Sequence, residues 1–316
     1  MTMVMELRES FTSSPAGERR LLERAVAGRY RIAALISRGG MGAIYRAWET
    51  GLERPVAIKL LAPARARDPD ERGRFRREAR ILASLAHRNV IPVLGTGETG
   101  DAVWFAMPYH TVTLADRIRA GKRLPPDVVR DLLIGLADAL AYSHERGVTH
   151  RDLKAENILL DEEGHPVLCD FGVAILASSD HSRAEIVKGY GTPEYMAPEQ
   201  LLGTPECDGR QDLYALGVLG FRMLTGRFPF EGNAEQIRAA HVTRDVPAVA
   251  AHAADVPPDL AAALDRCLMR NAQDRWSGAA TLREALRART ARPSGVVTRL
   301  VRRLLSRSLP QAAALL

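Results

Sequence analysis

Eight consecutive residues, His150-Arg151-Asp152-Leu153-Lys154-Ala155-Glu156-Asn157, constrain this chain more than any other stretch. They place a carboxylate, basic groups and an amide close together. They also follow an apolar run, Val128 to Arg146, whose Leu132, Leu133, Leu136, Leu140 and Tyr142 recur at helical spacing. Asp152 and Asn157 stand five positions apart. No single helical turn sets that pair side by side, whereas a tight loop aims both at one ligand. Lys154, two residues beyond the acid, falls on the same side of an extended segment. A carboxylate that takes a hydroxyl proton, an ammonium that holds a phosphate and an amide oxygen that ligates Mg²⁺ are the parts phosphoryl transfer needs. Taken alone, the octet also suits a loop of surface charge.

Earlier in the chain, Tyr30 to Ile36 and Ala43 to Trp48 have strand character, with Ser37-Arg38-Gly39-Gly40-Met41-Gly42 between them. Glycines let a backbone approach a phosphate and turn its N–H groups to the anion, where a Cβ would obstruct. Most glycine turns merely join strands. The stretch Val56-Ala57-Ile58-Lys59-Leu60 adds weight, because a lysine inside so apolar a run is costly to bury unless an anion meets it. From Asp70 to Ala86 the pattern is helical, and Glu78 is the natural counter-ion for Lys59.

With 316 residues, 46% hydrophobic and 26% charged, the chain is long enough for one large domain or two lobes. Its net charge of +6 suits an acidic partner such as nucleic acid, an anionic membrane surface or a polyphosphate, or else reflects an Arg-rich surface. No clustered nucleic-acid motif occurs, so none is expected as a partner. Cys169, Cys207 and Cys267 are odd in number and lack metal-ligand spacing, which points to a reducing compartment. There is no run of about 18 apolar residues. Glu6, Arg8 and Glu9 stand where a signal peptide would be apolar, so a cytoplasmic location is expected.

In this order, and continued by Asp170-Phe171-Gly172 and Ala197-Pro198-Glu199, these segments resemble a serine/threonine protein kinase of the eukaryotic-like kind found in bacteria, over residues 30 to about 288. The resemblance implies an α+β bilobal fold, a small β-rich N-lobe with one regulatory helix and a larger, mainly helical C-lobe. Residues 1–28 form an extension, 29–108 the N-lobe, 109–290 the C-lobe and 291–316 a tail. ATP and Mg²⁺ are implied, with protein substrates. Ile36, Ser37, Arg38, Gly39, Gly40, Met41, Gly42, Ala43 and Ile44 resemble the nucleotide-covering loop, with Ser37 in place of the family's first glycine. Lys59 resembles the lysine on the α and β phosphates and Glu78 its partner. Pro108 and His110 resemble the hinge, through the Pro108 carbonyl and the His110 N–H, behind a Met107 gatekeeper. Asp152 is implied as catalytic base, Lys154 as a charge stabiliser, and Asn157 and Asp170 as metal ligands.

Thr192 resembles the threonine that tethers Asp152 and Lys154 and favours Ser/Thr substrates. Glu199 is expected to pair with Arg275, Asp212 to cap the backbone of the octet, and Leu82, Phe171 and His150 to stack. Arg151 resembles the residue that docks an activation-loop phosphate, yet residues 173–190 hold no threonine, only Ser178, Ser179 and Ser182. From Ala291 to Leu316 there is no acidic residue, and arginines interleave with valines and leucines as in a basic amphipathic helix. Docking on an anionic membrane surface, binding a protein partner and packing on the C-lobe all remain open for it. Two other functions fit less well. A nucleotide-holding pseudokinase would lack a catalytic element, and a small-molecule phosphotransferase would lack the platform from Gly191 to Glu199.

Overall fold

Strand-forming alternation from Tyr30 onward and helical spacing beyond the hinge separate the chain into two kinds of structure. The computed structural model describes residues 14–119, 121–171, 175–176, 192–204 and 208–288. These fall into two compact units, one ending at Ala86 and resuming over Ile91–His110, the other comprising His87–Val90 and the chain from Thr111.

In the first unit β1 (Tyr30–Gly39), β2 (Gly42–Glu49), β3 (Arg54–Leu61), β4 (Gly95–Thr99) and β5 (Ala102–Pro108) form one antiparallel sheet in the order β1-β2-β3-β5-β4. β1 runs three residues beyond its expected end at Ile36, because pairing continues to Gly39 opposite Gly42 and leaves Gly40-Met41 as the turn.

Neighbouring residues of a strand face opposite sides, and both sides are used here. Trp104 meets Tyr30 edge to face at 5.6 Å, in the cluster where α1 (Pro15–Ala25) buries Leu22 and Val26 against Ile58 and Leu60. Phe105 turns the other way and meets Phe75 at 5.2 Å, on α2 (Pro69–Ser84). Lys59, between Ile58 and Leu60, shares the Phe105 side. Both helices begin with a capped proline turn. Ser14 Oγ accepts from Gly17 N and Asp68 from Asp70 N, with Pro15 and Pro69 in the first turn. Residues 14–26, read from sequence as an accessory extension, thus complete the apolar cover of the sheet.

In the second unit α3 (Pro126–Glu145) leads to β7 (Val148–Thr149), and β6 (Val112–Thr113), β8 (Ile158–Leu160) and β9 (Pro166–Leu168) form a small sheet ordered β6-β8-β9. β10 (Ile175–Leu176) pairs with β7. Further helices follow: α4 (Pro198–Leu202), α5 (Arg210–Thr225), α6 (Ala234–Thr243), α7 (Pro258–Cys267) and α8 (Ala279–Arg287). α5 is buried at every position from Gln211 to Phe221, so it is the unit's central post. Gly220 allows this, since a Cβ there would stand 2.4 Å from Leu264 of α7. Among the described residues no helix is long and apolar enough to cross a membrane.

Candidate active site

Within the first unit, Lys59 projects from β3 beside Phe105, and Nζ lies 2.6 Å from Oε1 of Glu78. Glu78 is 4% exposed on the inner face of α2. The expected pair is therefore formed, with the ammonium held on a strand fixed by two neighbours. The glycine-rich stretch is the β1–β2 hairpin tip. Gly42 is required by the chain itself, having φ +156° and only 2.0 Å between an added Cβ and the Leu60 carbonyl oxygen. Gly39 is different, because a Cβ there would meet nothing within 4 Å. Internal packing does not demand a glycine at 39, so the open space suits an external group such as a phosphate. Ser37 pairs with Ile44 in the same ladder, and Ile36 and Met41 are exposed. Pro108 ends β5 opposite Val56, and His110 closes the unit.

Within the second unit the octet is held from below. Asp212, in the first turn of α5 and 1% exposed, accepts from the backbone N–H of His150 at 2.9 Å and of Arg151 at 2.8 Å, and contacts His144 Nε2 at 2.8 Å. These contacts hold its carboxyl below the usual range although burial opposes them. They also retain Arg151 at φ 67°, a left-handed conformation that costs a non-glycine residue energy and collects at functional sites. Asp170 is likewise left-handed at φ 63°. His150, fully buried, accepts from Asp152 N at Nδ1 (3.3 Å) and so donates from Nε2 to the Cys169 carbonyl (3.1 Å). Its ring meets Phe171 at 4.6 Å.

Around Asp152 the polar groups converge. Lys154 Nζ donates to Oδ2 at 2.7 Å and to Thr192 Oγ1 at 3.1 Å, and Asn157 Nδ2 donates to the Asp152 carbonyl at 2.9 Å and to Oδ2 at 3.2 Å. Both side-chain contacts fall on Oδ2, leaving Oδ1 for a hydroxyl. The committed amide nitrogen of Asn157 leaves its oxygen as the atom offered to a hard cation. Cys169 N donates to the Asn157 carbonyl at 2.9 Å, which sets Asp170 one residue beyond Asn157's neighbour. A carboxylate and an amide oxygen of this kind fit Mg²⁺. Together these residues can receive a hydroxyl proton and neutralise an anion.

The flanking platform is fixed by Arg275, whose guanidinium is fully buried and binds Glu199 in two hydrogen bonds of 2.6 and 2.9 Å, as expected from sequence. Its remaining donors reach the carbonyls of Met269, Arg210 and Arg270. Gln200 Nε2 donates to the Arg151 carbonyl at 3.2 Å, a link from α4 to the octet that sequence reasoning missed. His144 was missed too, although an imidazole six residues before His150 at the end of a helix is a usable signal. Ser178, Ser179, Ser182 and the tail from Ala291 lie outside the described residues.

Residues 30–288 match the protein kinase domain family, and the chain belongs to it. Among curated proteins it is 34% identical to serine/threonine-protein kinase PksC of Streptomyces coelicolor, over 86% of this chain and 51% of that protein. To PknB of Mycolicibacterium smegmatis it is 35% identical (82% and 42%), and to PrkC of Bacillus subtilis 36% (72% and 35%). The chain thus spans about half the length of these relatives or less. Among solved structures, the PknI kinase domain of Mycobacterium tuberculosis superposes with a TM-score of 0.64 at 28% identity, covering 82% of this chain and 95% of that one. Protein kinases of this family use ATP and Mg²⁺.

Proposed function

We propose that the chain is an active serine/threonine protein kinase that transfers the γ-phosphate of ATP to hydroxyls of protein substrates. The observation that carries this reading is the set of contacts on Asp152, where Lys154, itself tied to Thr192, and Asn157 both donate to Oδ2 and leave Oδ1 for a hydroxyl. Asp152 orients the substrate hydroxyl through Oδ1 and accepts its proton late. Lys154, fixed between Asp152 and Thr192, meets the negative charge that develops on the transferred group. Lys59, braced by Glu78, holds the α and β phosphates, and the hairpin from Ile36 to Ile44 covers them with backbone N–H groups. Pro108 offers its carbonyl and His110 its N–H to the adenine. Asn157 and Asp170 hold Mg²⁺, which when bound neutralises phosphate charge. Thr192 and the platform pinned by Arg275 favour a peptide over a small metabolite.

The pseudokinase alternative finds little support, since Lys59, Glu78, Asp152, Asn157 and Asp170 are all present and Ser37 alone departs from the family pattern. Cys267, a buried free thiol, suits the reducing, cytoplasmic setting read from composition. For the tail we propose docking on an anionic membrane surface, supported by its arginines and apolar stripe.

Labelled ATP with Mg²⁺ and a peptide acceptor tests the activity. Lys59→Met, Asp152→Asn and Asp170→Asn should each lower turnover by roughly 10² to 10⁴. Near wild-type turnover in any one removes that residue from its role. A wild type that binds ATP without transferring phosphate makes the chain a scaffold.

A further inference from the structure

The family match begins at residue 30, yet a buried carboxylate before it reaches into the glycine-rich hairpin. Glu18, 4% exposed in the first turn of α1, takes Arg38 Nη1 on Oε2 at 2.6 Å and the Tyr45 hydroxyl on Oε1 at 3.2 Å. Arg38 Nη2 also donates to that hydroxyl at 3.4 Å, closing a triangle. Burial and the neighbouring carboxylate push the Tyr45 phenol up to about 12, so it remains a donor at neutral pH. Glu18 itself is firmly placed. Its N–H donates to the Ser14 carbonyl at 3.0 Å, Leu22 and Val26 lock the same helix into the core, and Arg19 donates to the Ile32 carbonyl at 3.3 Å.

The β2 arm of the hairpin is held by β3, which pairs with it as far as Gly42 and whose neighbour Ala62 donates to the Met41 carbonyl at 3.0 Å, but the β1 arm has less to steady it. Every residue of β1 from Ala33 to Gly39 is exposed, and its pairing with β2 is broken by irregularities at Ile32/Ala34 and Leu35/Ser37. Among the described residues, Arg38 is the one side chain of positions 33–41 held by a hydrogen bond. Arg38 stands two residues before the Gly40-Met41 turn, so its anchorage holds the β1 arm that leads into the tip.

We propose that Glu18 is a positioning residue which, through Arg38, presets the nucleotide-covering hairpin and thereby sets the affinity for ATP. The inference rests on the kinase reading above. A preset loop loses less conformational freedom when ATP binds, so releasing it weakens binding while leaving the chemical groups untouched.

Amide hydrogen exchange without nucleotide and steady-state kinetics with ATP are the measurements. Glu18→Gln should speed exchange over residues 36–44 and raise KM for ATP roughly three- to tenfold, with kcat within about twofold. Arg38→Met breaks the same contact from its more exposed end and should give the same exchange pattern. Adding Glu18→Gln to Arg38→Met should then raise KM no further. Arg19→Ala, on the same helix but away from Arg38, should leave KM unchanged. Exchange over 36–44 that is unaltered in both Glu18→Gln and Arg38→Met overturns the inference. So does a KM rise in Arg19→Ala equal to that in Glu18→Gln, which marks mere loosening of α1. A wild type that transfers no phosphate defeats the kinase reading instead, and exchange then decides the role of Glu18 alone.

Discussion

His241 carries an uncharged imidazole where water cannot reach. It is 1% exposed on α6, takes the Tyr214 hydroxyl at Nδ1 (2.7 Å), and packs against the ring of Phe230 at 5.0 Å. Burial pulls its pKa from 6.5 down to about 4, against the opposing hydrogen bond to the Glu194 backbone. The unfolded chain therefore takes up this proton near 6.5 and the folded one only near 4. His241 destabilises the fold progressively as pH falls between those values and costs nothing above them, a difference of about 3 kcal/mol in all. In His241→Gln the fall in unfolding free energy from pH 6.5 to 4 should be shallower by about that amount. An unchanged slope would mean that His241 titrates as a free side chain. That Asp152, Lys154 and Asn157 come together was legible in the sequence, because their close spacing in one octet is a local signal. Glu18 and His241 were not, because their partners Arg38 and Tyr214 lie 20 and 27 positions away and nothing local marks either pairing.

The β1–β2 hairpin separates two uses of glycine. Gly42→Ala forces a Cβ into the Leu60 carbonyl at φ +156°, and relief requires moving β2 off β3. It should lower stability by about 1 to 3 kcal/mol in thermal or denaturant unfolding. Gly39→Ala meets open space and should change stability by no more than about 0.5 kcal/mol, so a raised KM for ATP in that variant reports the bound ligand. Equal destabilisation by both would contradict the distinction. The glycine hairpin, the lysine strand and α2 were read from sequence nearly in place, since turn chemistry and periodicity are local signals. α1 was recognised as helix-compatible but not as part of the sheet's cover. Periodicity reveals that Leu22 and Val26 share a face, and only the fold reveals what lies against it.

Across the whole chain, length left one domain or two lobes open and the family resemblance implied two; the described residues divide into two compact units between His110 and Thr111. The basic stretch after Ala291 is the part whose role composition alone suggests. Truncation there should preserve peptide phosphorylation and melting temperature and abolish salt-sensitive co-sedimentation with anionic vesicles. A sharp drop in melting temperature, with no vesicle binding by the full chain, would place the stretch in the C-lobe core. The Glu199–Arg275 pair has a consequence for biosynthesis. Its members are 76 positions apart. At about 5–20 residues per second, a ribosome delivers Arg275 roughly 4 to 15 s after Glu199. Throughout that interval the Glu199 carboxylate lacks its guanidinium. A nascent chain therefore carries every residue of the octet before Arg275 arrives to pin the platform beside it.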